Sequence, residues 1–248
     1  MTAPDLPSLA RFAEASDATW RGERVETLGG WHIRFGPGAG NRACTAWARG
    51  DPGMSLGAAI DAVEAAYRAT GAAPRFQLWP QDGALDTALE VRGYRGYGRS
   101  LVLARPANGD WPAMPEGTML VTVRAPLAML SEIWEEDGIN PPRRAVIDRA
   151  AEPKACLLGR VGQRSAGAVA VLSHGDIAVV NALLVRRQHR RKGLGLALML
   201  GAAQFAAGIG ARYLAHSVSE DNDPAIALYR GLGFQEIGAY HYRVLEEG

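Results

Sequence analysis

Apolar positions run from Ile177 to Val185, broken by Asn181, and a basic turn replaces them at once in Arg186-Arg-Gln-His-Arg-Arg-Lys-Gly193-Leu-Gly195. Beyond that turn, Leu194, Leu198, Leu200, Phe205 and Ile209 recur at helical spacing. The pattern predicts a buried strand, a basic glycine-containing turn and a long helix. The rest of the second half reads the same way. Strands are expected at Met119–Arg124, Lys154–Val161, Gly167–Ser173, Tyr213–Val218, around Phe234 and at Tyr240–Leu245. Helices are expected at Pro126–Glu136, opened by its proline, at Arg143–Arg149 and at Pro224–Arg230.

The first half begins with a short helical segment within residues 1–19. Gly30–Phe35 and Asn41–Arg49 read as a hairpin across Gly36-Pro-Gly-Ala-Gly40. A helix at Leu56–Thr70, a strand at Arg75–Trp79, a short helix at Leu85–Arg92 and a strand or hairpin at Tyr94–Ala104 follow. Residues 107–117 hold Pro112, Pro115, Asn108, Gly109 and Gly117 and have no periodicity, so they are expected to be a linker between domains at 1–106 and 118–248.

Composition narrows the function classes. The chain has 248 residues, 48% hydrophobic and 21% charged, with a formal net charge of +1. No overall field recruits nucleic acid or a membrane. Arg186, Arg187, Arg190, Arg191 and Lys192 are therefore a local feature on a neutral background. The two cysteines, Cys44 and Cys156, are too few for a disulfide framework and are expected to be buried thiols. Met1–Leu9 lacks the charged start and apolar centre of a signal peptide, and no apolar run approaches the ~20 residues that span a bilayer. The expectation is a soluble cytoplasmic protein without metal, membrane or nucleic-acid partners, either a monomer or a homodimer.

A strand, a glycine turn and a helix start suit the binding of a diphosphate. Backbone N–H groups at the helix start point outward, and the helix dipole favours an anion there. Gly193 and Gly195 let the backbone approach closely, and the cationic side chains supply peripheral charge. The alternative is a solvated basic loop. The turn has no Gly-Lys-Ser/Thr and no Gly-x-Gly-x-x-Gly, so it is neither a Walker loop nor a dinucleotide fingerprint.

The two halves align without gaps at an offset of 140 residues. Gly53 falls on Gly193, Gly93 on Gly233, Tyr94 on Phe234, Gly98 on Gly238 and Leu89 on Tyr229. Asp51 and Pro52 stand where the second copy has Arg191 and Lys192. A carboxylate opposes an anion and proline removes an amide donor, so the first copy is expected to keep the fold and lack the phosphate site.

Two segments resemble the GNAT superfamily of acyl-CoA-dependent N-acyltransferases. Arg190-Arg-Lys-Gly193-Leu-Gly195 meets the pyrophosphate signature Gln/Arg-x-x-Gly-x-Gly/Ala. Asn222-Asp-Pro-Ala225-Ile-Ala-Leu-Tyr229-Arg-Gly-Leu-Gly233-Phe234 resembles the family's Asn-x-x-Ala-x-x-Leu-Tyr-x-x-x-Gly-Phe segment. The resemblance covers roughly residues 118–245 and implies an α/β (α+β) fold with a mixed, strongly bent sheet flanked by helices. The first half resembles a degenerate copy, as in tandem members. The resemblance further implies acetyl-CoA as cosubstrate and an amine of a small molecule or peptide as acceptor. It places the pyrophosphate on Arg190, Arg191, Lys192, Gly193, Leu194 and Gly195. It places the pantetheine arm in a gap between the strands near Val179–Val185 and Tyr213–Val218, along the backbone of Leu183, Leu184 and Val185. Asn222 and Tyr229 then border the thioester.

Acyl transfer needs an amine that loses a proton, a carbonyl that accepts charge and a thiolate that leaves. Backbone amides near Leu183–Leu184 are the candidates for the oxyanion, and Tyr229 is the candidate donor to the departing sulfur. The base stays open. Asn181 occupies a position where relatives carry a carboxylate or histidine; it cannot take a proton but can hold a water. His174, His216, Glu135, Glu136, Tyr240, His241 and Tyr242 are the remaining candidates. The competing reading is a non-catalytic acyl-CoA-binding sensor.

Overall fold

The computed structural model describes residues 5–125 and 127–246. In chain order the elements are α1 (Leu9–Thr19), β1 (Arg24–Leu28), β2 (Trp31–Phe35), β3 (Ala46–Trp47), α2 (Leu56–Arg68), β4 (Arg75–Leu78), α3 (Gly83–Val91) and β5 (Arg95–Pro106). They continue with β6 (Thr118–Val123), α4 (Ala128–Glu135), α5 (Pro141–Arg149), β7 (Lys154–Val161), β8 (Arg164–His174) and β9 (Ile177–Val185). The last are α6 (Leu194–Gly208), β10 (Tyr213–Ser219), α7 (Asp223–Gly231) and β11 (Gln235–Val244). Among the described residues no helix is long and apolar enough to cross a membrane.

The chain forms two compact units that are not contiguous in sequence. One holds the chain up to Trp20 and Val102–Gly238; the other holds Arg21–Leu101 and the chain from Ala239 on. This division differs from the expected 1–106 and 118–248. One reason is that α1 packs on β8 and β9. Another is that Tyr242 and His241 of β11 pair with Gln77 and Leu78 of β4. Residues 107–117 are irregular in conformation but belong to the first unit. The Ala107 N–H donates to the Arg212 carbonyl at 2.8 Å, and the Trp111 ring lies under the Arg105 guanidinium at 3.7 Å. An apolar ring and a cation with a buried stem dock this segment more firmly than its prolines and glycines alone predict.

In the first unit the strand order is β5–β10–β9–β8–β7–β6, with Val102–Pro106 as its share of β5. Strands β6 to β9 are antiparallel, and β10 runs parallel to β9. Helix α6 lies on this sheet because the strands leave room for it. A Cβ at Gly159 or Gly167 would come within 2.8 or 2.9 Å of Leu194 or Leu198 side chains, and a Cβ at Gly201 within 2.5 Å of Leu120. Glycine on both surfaces thus sets the helix height and places its N-terminus beside the end of β9. Helix α5 is capped by Asn140, whose side chain accepts from the Arg143 N–H at 3.1 Å. Helix α4 starts at Ala128; the proline expected to open it, Pro126, lies outside the described residues.

The second unit has the order β1–β2–β3–β4–β11–β5, with Arg95–Leu101 as its share of β5, around a core that includes Trp31, Ile33, Ile60, Val63, Phe76, Leu78 and Leu89. The expected strand Asn41–Arg49 is reduced to Ala46–Trp47, and Asn41–Ala43 is a 3-10 turn. It still pairs antiparallel with β2, through His32 and Trp47. Strand β1, which completes a hairpin with β2, has no alternating signature because it is largely solvent-exposed.

The element order repeats between the units. At the 140-residue offset α3 coincides with α7 at both ends, α2 ends where α6 ends, and β5 starts where β11 starts. Gly53 and Gly193 share a positive φ, 75° and 79°, as do Gly93 and Gly233 at 86° and 78°. Strands β3 and β4 are parallel, as are β9 and β10. The fold is a duplicated α/β architecture with mixed sheets.

Candidate functional site

The site forms where β9 and β10 part. Their parallel pairing runs from Tyr213–Ile177 to Ala215–Val179 and stops there, although β9 continues to Val185 and β10 to Ser219. On its other side β9 stays paired with β8, through Leu184–Ala168 and Val185–Gly167. The edge of β9 that faces away from β8 is thus released over its last residues, which leaves backbone N–H and C=O groups for a ligand to use.

A bulge shapes the same stretch. Asn181 pairs with Ala170 and Leu184 with Ala168, so Ala182 and Leu183 together oppose Val169. Ala182 has φ 52°. Its carbonyl accepts a 2.8 Å hydrogen bond from Nε1 of Trp134, a fully buried residue of α4. Neither Trp134 nor Ala182 stands out in the sequence. A tryptophan at helical spacing reads as core, and alanine carries no signal for a left-handed conformation.

The basic turn follows. Arg187–His189 form one 3-10 turn, Arg191 has φ 62°, and α6 begins after Gly193 with no side-chain cap. Among the described residues Ala182 and Arg191 are the non-glycine residues with positive φ, so both backbone exceptions border this site. The amides of Arg191 through Leu196 donate to no other protein group among the described residues. Donors without acceptors at the uncapped start of a 15-residue helix fit an anion. Arg191 and Lys192 are exposed beside them. Arg190 is partly committed: its Nε donates to the Val185 carbonyl at 3.0 Å and closes the turn. Arg186 is committed through its two terminal nitrogens, one paired with Glu136 at 2.8 Å and the other donating to the Ser165 carbonyl at 2.8 Å.

The first copy of this turn is capped by its own side chains. Asp51 Oδ1 accepts from the Gly53 N–H at 2.8 Å, and Ser55 Oγ accepts from the Ala58 N–H at 3.4 Å. A carboxylate takes the place that the second copy leaves open for an anion.

His216, the first β10 residue past the pairing, stacks on Tyr229 of α7 with ring centroids 3.7 Å apart, and both touch Phe234. His216 is 2% exposed and neither ring nitrogen has a partner. Burial lowers its pKa to about 3, so it stays neutral at neutral pH and is a poor general base. Burial also raises the Tyr229 phenol to about 12. Asn181 is buried on β9, and its Nδ2 donates to the Val179 carbonyl at 3.1 Å. Asn222 caps α7 through Oδ1, which accepts from the Ala225 N–H at 3.2 Å.

The other candidate bases are placed elsewhere or engaged. His174 is exposed at the hairpin opposite Ile177, five residues along β9 from Ala182, or about 17 Å at the usual rise per residue. Glu135 pairs with Arg144 at 2.7 Å and Glu136 with Arg186. Tyr240, His241 and Tyr242 belong to the other unit, where His241 Nε2 meets Asp86 at 3.2 Å and Tyr240 packs on Trp79 at 4.7 Å between centroids.

Residues 125–234 match the model of the Acetyltransferase (GNAT) family. The chain is 23% identical to the uncharacterized N-acetyltransferase YobR of Bacillus subtilis (strain 168) over 97% of its own length and 98% of that protein's. Its fold is similar to that of a GCN5-related N-acetyltransferase from Kribbella flavida, with a TM-score of 0.74 at 20% identity and 97% of each chain covered. It is also similar to a tandem GNAT protein from the clavulanic acid biosynthesis pathway, with a TM-score of 0.59 at 20% identity, covering 76% of this chain and 68% of that one.

Proposed function

We propose, from the match of residues 125–234 to the model of the Acetyltransferase (GNAT) family, that the chain moves an acetyl group from acetyl-CoA to a primary amine of a small molecule or peptide. The observation that carries this reading is the parting of β9 and β10 after Val179 and Ala215, next to the unbonded amides of Arg191–Leu196. One feature binds an extended amide-containing arm and the other its diphosphate. When bound, the cosubstrate supplies an activated thioester carbonyl.

The amides of Arg191–Leu196, with Arg191 and Lys192, hold the pyrophosphate. The released edge of β9 at Leu183–Val185 pairs with the pantetheine amides. The Leu183 amide, within the bulge, stabilises negative charge on the carbonyl oxygen. The amine nitrogen forms a bond to the acyl carbon, the carbon–sulfur bond breaks, and the amine proton leaves to water. Tyr229 donates a hydrogen bond as charge grows on sulfur. Full proton transfer from a phenol near 12 to a thiolate of ordinary pKa 8.5 is uphill by about 5 kcal/mol. Tyr229 therefore works as a hydrogen-bond donor, and the thiolate is protonated from solvent.

A sensor that binds acyl-CoA without turnover is the second reading. Asn181 at the bulge and the low basicity of His216 favour it, because neither side chain can remove the amine proton at neutral pH. Thiol release from acetyl-CoA with a panel of primary amines separates the two. Amine-dependent release supports the transferase. Tight acetyl-CoA binding without release establishes the sensor, and absence of binding overturns both.

A further inference from the structure

We infer that Trp134 is a positioning residue for acyl transfer: its indole N–H holds the Ala182 carbonyl and thereby aims the Leu183 amide. The inference rests on the transferase reading above. The contact is 2.8 Å long, and Trp134 is fully buried, so water does not compete for the indole donor. The acceptor is the carbonyl of the residue with φ 52°.

An alanine gains nothing intrinsic from a left-handed conformation; its Cβ crowds the following carbonyl at roughly 1–2 kcal/mol. Something outside the strand must hold it there. Strand β8 sets the register on either side but skips this pair, since Leu184 faces Ala168 and Asn181 faces Ala170. The Trp134 bond falls on the irregular residue itself. In a trans peptide the carbonyl and the following N–H point in opposite directions. Fixing the Ala182 carbonyl toward α4 therefore fixes the Leu183 N–H away from α4. That N–H is the donor assigned to the developing oxyanion, where a small error in aim costs rate rather than binding. The pyrophosphate contacts lie at Arg191–Leu196, beyond the reach of this effect.

The test uses the full-length chain and acetyl-CoA. Trp134→Phe keeps an aromatic ring and removes the donor. It should lower kcat by about 10-fold and leave KM for acetyl-CoA within about twofold. Glycine adopts a left-handed conformation without the Cβ penalty. Adding Ala182→Gly to Trp134→Phe should therefore recover at least about threefold of the lost kcat. A role in core packing alone would lower thermal stability and leave kcat intact, with no rescue by glycine, and either result overturns the inference. If Trp134→Phe is insoluble, hydrogen exchange of the Trp134 indole proton in the wild-type protein decides. Slow exchange supports a bonded donor, and exchange at the rate of a free indole overturns it. A wild-type protein that releases no thiol with any amine defeats the transferase reading instead, which keeps the two failures apart.

Discussion

The imidazole of His216 lies against the phenol ring of Tyr229 at 3.7 Å between centroids, with both of its nitrogens unpartnered. Burial depresses its pKa to about 3, whereas in the unfolded chain it is near 6.5. Between these values the unfolded chain binds a proton that the folded protein refuses. Stability is therefore fully present above pH 6.5 and falls as pH drops toward 3, at a limiting slope of about 1.4 kcal/mol per pH unit from this group. His216→Phe should flatten that limb of a melting-temperature profile. The same neutrality bears on catalysis. If water takes the amine proton, kcat/KM should rise with pH toward the pKa of the amine, near 10 for a lysine-like acceptor. An inflection near pH 6.5 that disappears in His216→Phe would restore His216 as the base.

The strand–turn–helix of β9 and α6 was legible because its signals are local. An apolar run meets a basic glycine turn, and helical spacing follows within a few residues. The second motif was equally plain, with Asn222 as cap and Pro224 in the first turn of α7. What escaped was decided by tertiary contact. Arg24, Glu26 and Thr27 give β1 no buried face, so no alternation marks it. Trp111 and Pro115 dock a segment whose composition signals a free linker; Pro115 lies where a Cβ on Gly193 would come within 2.8 Å of it. The bulge at Ala182 depends on a residue of another helix, and nothing in Asn-Ala-Leu-Leu announces it.

The two copies of the turn make opposite uses of the same backbone. Asp51 bonds the Gly53 amide, whereas the amides after Arg190 are unbonded. A calorimetric titration with coenzyme A should therefore saturate at one cofactor per chain. Arg191→Asp places a carboxylate in the second turn where Asp51 stands in the first. It should weaken binding by at least ~10-fold through repulsion and occupation of the amides. Asp51→Ala should leave the stoichiometry at one, because Pro52 still removes a donor from that turn. Two sites per chain would refute the division of labour between the copies.

Tyr229 should contribute through its proton and not through its ring. Removing the hydroxyl in Tyr229→Phe keeps the contacts with His216 and Phe234 and leaves the thiolate without a donor as it departs. The expected loss is ~10²-fold in kcat, in the range of a positioned proton donor, with KM for acetyl-CoA nearly unchanged. The size of the loss should depend on the leaving group. An acetyl thioester of a more acidic thiol develops less demand for a donor, so wild type and Tyr229→Phe should converge as the thiol pKa falls. A constant ratio across such a series would mean that the hydroxyl acts on the acyl group or on folding. A Tyr229→Phe enzyme with wild-type kcat would remove the phenol from the mechanism and leave the amides of the bulge to act alone.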